Sequence, residues 1–433
     1  VQDEAAPQSA VSEASTSLGT GRRAVVRQGV LVASALTVGN VLSYVVSLVA
    51  SRRLGPAEFS VFAAMLSLVV VGLVVCLGLQ TVVTRTVAGQ DRPDLAALSG
   101  TAVAASVATG ALVAVAAWPI ATFLHLGGPA PVLWTAALLV PLTWSGFAQG
   151  AAQGRERFGV LSAVVLAVAG GKVVGGLSAL AVSRSATVTI AFTAVGALAG
   201  TALAAALAWP LLGRPRRHGW AIAEVAQAAH ALLALFVLTN TDLLLARHYL
   251  PAVQAGLYGA GALIAKVAFW LPQFVSVLAL PRLVDPRRHA AALRVSVLVV
   301  AAIGATLTLG TALLGSLAVT VVGGPAYVAL APYAWRFAAL GSALALVQLL
   351  LYARLARHDH RASAFVWSAV LVQVALVALV AHGSGLAIVN TTLAVVLVLA
   401  AVALTAELFR HAEAASPPRT ADPSPASTYS DGP

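Results

Sequence analysis

What is scarce in this chain narrows its function first. One cysteine, one methionine and two lysines occur in 433 residues. The lone Cys76 excludes an intramolecular disulfide and a cysteine-built metal site. Charged residues make up 9% and aromatic residues 6% of the chain. Long polar segments between the apolar runs are also missing. A soluble domain of this size would carry far more charge than that. The glycine-rich stretch Gly170-Gly171-Lys172-Val173-Val174-Gly175-Gly176 is not a phosphate-binding loop, because Leu166 stands for its first glycine and Val173 for its Ser/Thr. No ATPase machinery appears elsewhere, so any transport has to be driven by a gradient or the membrane potential.

What is present is hydrophobic residue, 60% of the chain, with a mean hydropathy of +0.92. Its 36 glycines and 20 prolines suit membrane helices, which tolerate both. A bilayer crossing takes about 20 apolar residues. On that length the spans fall at 28–50, 59–83, 96–121, 132–152, 159–182, 187–211, 224–246, 254–280, 293–318, 332–352, 362–381 and 386–408. The expectation is an all-α polytopic membrane protein of about 12 transmembrane helices. Residues 1–21 and 411–433 read as disordered cytoplasmic tails, 22–212 and 223–410 as two six-helix lobes, and 213–222 as a basic linker. No cleavable signal peptide is expected, since the first apolar run is too long for a signal core.

The net charge of +11 does not point to nucleic acid, because the basic residues sit in short loops between apolar runs. With the N-terminus inside, nineteen of the 26 basic residues fall on the cytoplasmic side and four (Arg52, Arg53, Arg184 and Arg247) outside. Both termini are therefore expected in the cytoplasm. The arginine-and-alanine bias points to a GC-rich bacterial genome, hence to a bacterial cytoplasmic membrane.

The halves also echo each other. Leu54 and Phe62 pair with Leu250 and Tyr258 at an offset of 196, and Gln149 and Arg155 pair with Gln348 and Arg354 at 199. Six spans per half make the repeat parallel, and binding sites in such transporters lie between the halves near the midplane.

Several segments carry a family likeness. Ser51-Arg52-Arg53-Leu54-Gly55-Pro56 leading to Glu58-Phe59 resembles the first-to-second-helix corner of the polysaccharide (oligosaccharidyl-lipid) flippases. That family lies in the multidrug/oligosaccharidyl-lipid/polysaccharide exporter superfamily. Leu77-Gly78-Leu79 with Arg85, Gln149-Gly150 through Arg157-Phe158, Asp242-Leu243-Leu244 and Ala255-Gly256-Leu257-Tyr258 are similar to later landmarks. So are Leu271-Pro272, Pro281-Arg282, Gly324-Pro325-Ala326-Tyr327 and Ala331-Pro332. Cys76 departs from the pattern, standing where many members have an acidic residue. The resemblance covers about residues 22–410. It implies a MATE-like fold that moves lipid-linked sugars outward by alternating access.

The ionisable residues inside spans are the candidate site, since each costs roughly 2.5–3.5 kcal/mol to insert. Lys266 reads either as a contact for the diphosphate or acidic sugar of a lipid-linked substrate, or as an ion-pair partner of Asp242. Lys172 reads as facing a cavity, while the Gly171–Gly175 spacing around it serves close helix packing. Arg336 either snorkels to the interface or joins the substrate set. Arg247 either anchors the interface or guards the cavity mouth. Asn240 lies within a turn of Asp242 and shares its polar surroundings. His358-Asp359-His360 reads as a solvated loop, not a metal site.

Three intramembrane cations against Asp242 suit an anionic substrate. The leading expectation is a polyprenyl-diphosphate-linked oligosaccharide flippase for cell-surface polysaccharide synthesis. It would be coupled to H+ or Na+, need no cofactor or metal, and have membrane lipids and polysaccharide assembly proteins as partners. The alternative is a Na+- or H+-coupled multidrug exporter, for which Asp242 is the available carboxylate. A membrane glycosyltransferase or polymerase needs acidic or histidine chemistry on sizeable external segments, which the short external loops do not supply. A non-transporting scaffold gives no reason for buried lysines.

Overall fold

The computed structural model describes residues 8–212, 214, 221–273, 275, 289–355 and 361–415. The linker arginines Arg216 and Arg217, the Pro281-Arg282 segment, His358-Asp359-His360 and the tail beyond Ala415 lie outside them. Among the described residues every regular element is a helix. The first half holds α1 (Gln8–Gly89), α2 (Leu95–Val115), α3 (Ala117–Phe123), α4 (Ala130–Gly154), α5 (Phe158–Val182) and α6 (Ala186–Ala208). The second holds α7 (Ile222–Tyr249), α8 (Ala252–Trp270), α9 (His289–Leu313), α10 (Gly315–Val322), α11 (Ala334–Leu355), α12 (Arg361–Leu376) and α13 (Gly385–Ala415). The stretch expected to be an N-terminal tail is helical from Gln8 onward.

Ten helical stretches among the described residues are long and apolar enough to cross a membrane, and the bent pair within α7 makes eleven. One of the ten, Gln28–Gly89, is 62 residues long and holds two spans folded at Gly55. The expected twelve spans are therefore all accounted for. Gly55 turns at φ 72°, a left-handed value that glycine adopts without a Cβ penalty. Pro56 follows and offers no N–H to continue a helix. Asp94 caps α2 through its carboxylate, which accepts from the Ala96 and Ala97 amides at 3.0 Å. Glu58 does the same for α6 from a distance, accepting from the Ala186 amide at 2.7 Å.

Two expected spans are broken. The third stops at Ala116, where Pro119 cannot donate to a carbonyl four residues back and clashes with it. The ninth stops at Leu314, where Gly315 presses on the Ala331 carbonyl. The two breaks are 198 residues apart, between the offsets of 196 and 199 of the sequence echoes. The third span of each half thus ends in a short separate helix, so the repeat is structural as well as sequential.

Within the first lobe α4 packs on α1, α2 and α6, and α5 packs closely on α6. Gly171 and Gly175 lie directly against Gly196, Gly200 and the Phe192 carbonyl, so the expected small-residue contact is formed. Within the second lobe α11 packs on α8, α9 and α13, and α7 on α12. Helix α7 serves both lobes. Its first turns put Val225 among Leu79, Val83 and Phe147 of the first lobe, and a 56° bend between His230 and Leu232 carries the rest into the second.

The lobes share one apolar core at the end of the bundle that holds Arg52 and Arg247. There Phe59, Phe62 and Leu124 join Leu250, Tyr258 and Tyr327. Toward the other end the first lobe keeps separate clusters. Polar contacts reinforce the junction. Ser51 Oγ donates to the Val322 carbonyl (2.6 Å), and Arg52 donates to the Val321 (2.6 Å) and Thr320 (3.2 Å) carbonyls. These are last-turn carbonyls of α10, which have no partner inside their own helix. Tyr327 Oη donates to the Ser51 carbonyl at 3.0 Å, and Gly256 abuts the Pro56 backbone.

Candidate functional site

Asp242, Asn240 and Lys266 line one cavity of about 50 Å³, between the second span of α1, α7, α8 and α11. Val70, Phe236, Trp270 and Leu340 supply its apolar wall. A water needs only about 10–15 Å³ of such space, so the cavity suits a few waters or a small cation rather than a sugar headgroup. Asp242 is buried, and its carboxylate accepts from Tyr258 Oη at 2.8 Å. Lys266 is partly buried and shares the cavity, without an ion pair to Asp242 within 4 Å among the described residues. The two charges therefore face the same space instead of neutralising each other by contact.

Asn240 is 2% exposed. Its amide donates to the Phe236 carbonyl (2.8 Å) and to Thr239 Oγ1 (3.0 Å), and its Oδ1 has no hydrogen-bond partner among the described residues. A buried acceptor left unpaired costs about 1–3 kcal/mol unless something occupies it. Behind Tyr258 the polar chain goes on through the second lobe. Tyr258 faces Thr392 of α13, and Gln373 of α12 donates to Thr392 Oγ1 at 3.4 Å. Gln373 is fully buried, and its Oε1 is also unpartnered among the described residues. Four helices thus contribute polar side chains to one buried cluster beside Asp242.

The other expected residues lie elsewhere. Lys172 is partly buried on α5 in the first lobe, where its charge faces Cys76 of α1, which packs against Gly146 of α4. Arg336 is on α11, donating to Asn390 Oδ1 at 3.2 Å and sitting 5.2 Å from the Trp335 ring centroid. Arg247 is 7% exposed, and it spans the lobe junction. It donates to Ser60 Oγ (3.0 Å) and to the His125 carbonyl (3.1 Å), so it joins the lobes rather than lining the cavity.

Sequence reading missed Tyr258, Thr392 and Gln373 as parts of the chain behind Asp242. A glutamine inside the apolar run Val366–Val374 was the one visible signal. It also missed Glu407, which is 1% exposed and paired with Arg354 at 3.2 Å.

Two joined six-helix lobes, each with a broken third span, make this a polytopic all-α protein with the MATE-type fold. Solved structures of that fold superpose over most of the chain. Lipid II flippase MurJ matches with a TM-score of 0.67 and 10% identity, covering 88% of this chain and 87% of its own. The Vibrio cholerae MATE transporter VcmN matches at 0.60 and 12% identity, over 91% of this chain and 98% of its own. A MOP superfamily transporter from Pyrococcus furiosus matches at 0.54 and 12%, over 90% and 96%. No family model and no curated protein sequence matches the chain.

Proposed function

We propose that the chain is a secondary transporter of the bacterial cytoplasmic membrane, with both termini in the cytoplasm. It flips a polyprenyl-diphosphate-linked oligosaccharide, or a related anionic glycolipid, outward by alternating access for cell-surface polysaccharide synthesis. The observation that carries this reading is the placement of its lysines. The chain has only two, and both lie within membrane spans, Lys172 in the first lobe and Lys266 in the second. A substrate held between the lobes meets one ammonium from each, and a diphosphate is the group that answers both. The cavity at Asp242 is too small for the sugar, so the headgroup occupies space that opens where the lobes keep separate cores.

Asp242, with the unpartnered Asn240 Oδ1 beside it, supplies the anionic and neutral oxygens that a proton or Na+ would use to couple transport. The same carboxylate supports the second reading, a cation-coupled multidrug exporter. Reconstituted vesicles separate the two. Flipping of a polyprenyl-diphosphate sugar, lost in Lys172→Gln and Lys266→Gln, supports the first. Efflux of cationic dyes that needs Asp242 and tolerates both lysine changes would overturn it.

A further inference from the structure

Histidines gather at the lobe junction beside Arg247. The His248 ring, on the last turn of α7, lies between two groups from the corner after α3. It stacks on Phe123 at 4.1 Å and 6°, and on His125 at 5.1 Å and 25°. Its Nδ1–H donates to the Phe123 carbonyl at 2.6 Å. The next residue, Tyr249, contacts the His382 ring at 5.2 Å. His125 holds φ 49°, a left-handed backbone uncommon outside glycine, and its carbonyl is fastened by Arg247. Backbone of that kind persists where its surroundings over-determine it.

We infer that this histidine stack is an acid-sensitive latch on the external side of the transporter. Histidine is the side chain whose charge ordinarily changes between pH 5 and 8. His125 belongs to the first lobe and His248 to the second. Protonating both places two imidazolium rings in contact across the junction, next to the Arg247 guanidinium. His382 adds a further cation one ring away. The carboxylate that acts on Arg247 is Glu58, which is already engaged by the α6 amide.

External acid therefore weakens the junction and favours opening on that side. Two unit charges about 5 Å apart in water repel enough to shift an equilibrium roughly fourfold, less at high salt. The junction is solvent-accessible, with His125 and His382 exposed, so external protons reach it without crossing the protein. A latch of this kind ties opening to the acidic side of a proton gradient and needs no charge buried in the bilayer.

The inference rests on the alternating-access reading and the orientation given above, yet its test needs no substrate. Spin labels at Thr122→Cys and Gln254→Cys, with Cys76→Ser, report the distance between the lobes at this end in lipid nanodiscs. Going from about pH 8 to about pH 5.5 is expected to raise the long-distance population severalfold in the otherwise native chain. His125→Asn with His248→Gln keeps a residue tolerant of positive φ and a side-chain donor to Phe123, but removes the titration. That variant is expected to keep the high-pH distribution at both pH values. An unchanged distribution in the native chain, or an acid shift that survives in the double variant, overturns the latch. Either result leaves the transport reading to its own vesicle assay. Arg52→Ala, which removes the bond from the first lobe to the Val321 carbonyl of α10, is expected to raise the long-distance population at both pH values, showing that the labels respond to opening.

Discussion

Removing Glu407 is expected to destabilise the second lobe by a predictable amount. Glu407 Oε1 lies 3.2 Å from Arg354 Nε, with side-chain exposures of 1% and 5%. Arg354 also donates to the Ala403 carbonyl at 3.1 Å and sits 5.7 Å from the Phe365 ring centroid, so the guanidinium stays in place when its partner goes. Breaking one side of a buried pair leaves an uncompensated charge and costs about 3 kcal/mol or more. A chain of this length loses about 1–2 °C of melting temperature per kcal/mol, so Glu407→Ala should melt ~3–6 °C lower. Cys76 provides the readout. It is the chain's one cysteine and is buried, and the lobes share one core, so a thiol-reactive dye lights up as the joined bundle melts. Adding Arg354→Met removes the stranded charge and should recover most of the loss. A single variant that melts with the native chain, or a double variant no better than the single, refutes this account of the pair.

Further outcomes follow from the same geometry. Gly256 has no room for a Cβ against the Pro56 backbone, so Gly256→Val should force the lobes apart at that contact and lower the yield of folded protein in detergent chromatography. Tyr258→Phe removes the hydrogen bond to Asp242 and should cost about 1–3 kcal/mol in the dye assay, while Phe337, which meets the ring edge-on at 5.0 Å, keeps its packing. Asp242→Asn should abolish the dependence of vesicle transport on an H+ or Na+ gradient. Full gradient dependence in that variant would remove Asp242 from the coupling role.

The span pattern was legible in the sequence because a bilayer sets one length and one composition for every crossing. The Gly171–Gly175 contact was legible for a related reason, since two small residues one turn apart leave a groove that only another backbone fills. The breaks at Ala116 and Leu314 were not, because hydropathy runs through them unchanged. The site was readable only as depth. Burial cost singled out Asp242, Asn240 and Lys266, which do share a cavity, but also Arg247 and Arg336, whose partners come from distant positions. Ser60 and His125, which bond Arg247, are 187 and 122 residues away from it, and nothing local announces them. The first corner shows both situations. Gly55 and Pro56 mark a turn at sight, whereas the capping of α6 by Glu58 appears only once residues 128 apart meet.

The central claim is that the two membrane lysines hold an anionic lipid-linked sugar in transit. Mass spectrometry of lipid-linked sugars tests it most directly, in cells whose native copy is replaced by the unaltered chain, Lys172→Gln or Lys266→Gln. The account predicts that one polyprenyl-linked oligosaccharide accumulates in both variants and that its exported polymer is lost. An unchanged lipid pool in cells carrying folded, membrane-inserted variants would contradict it.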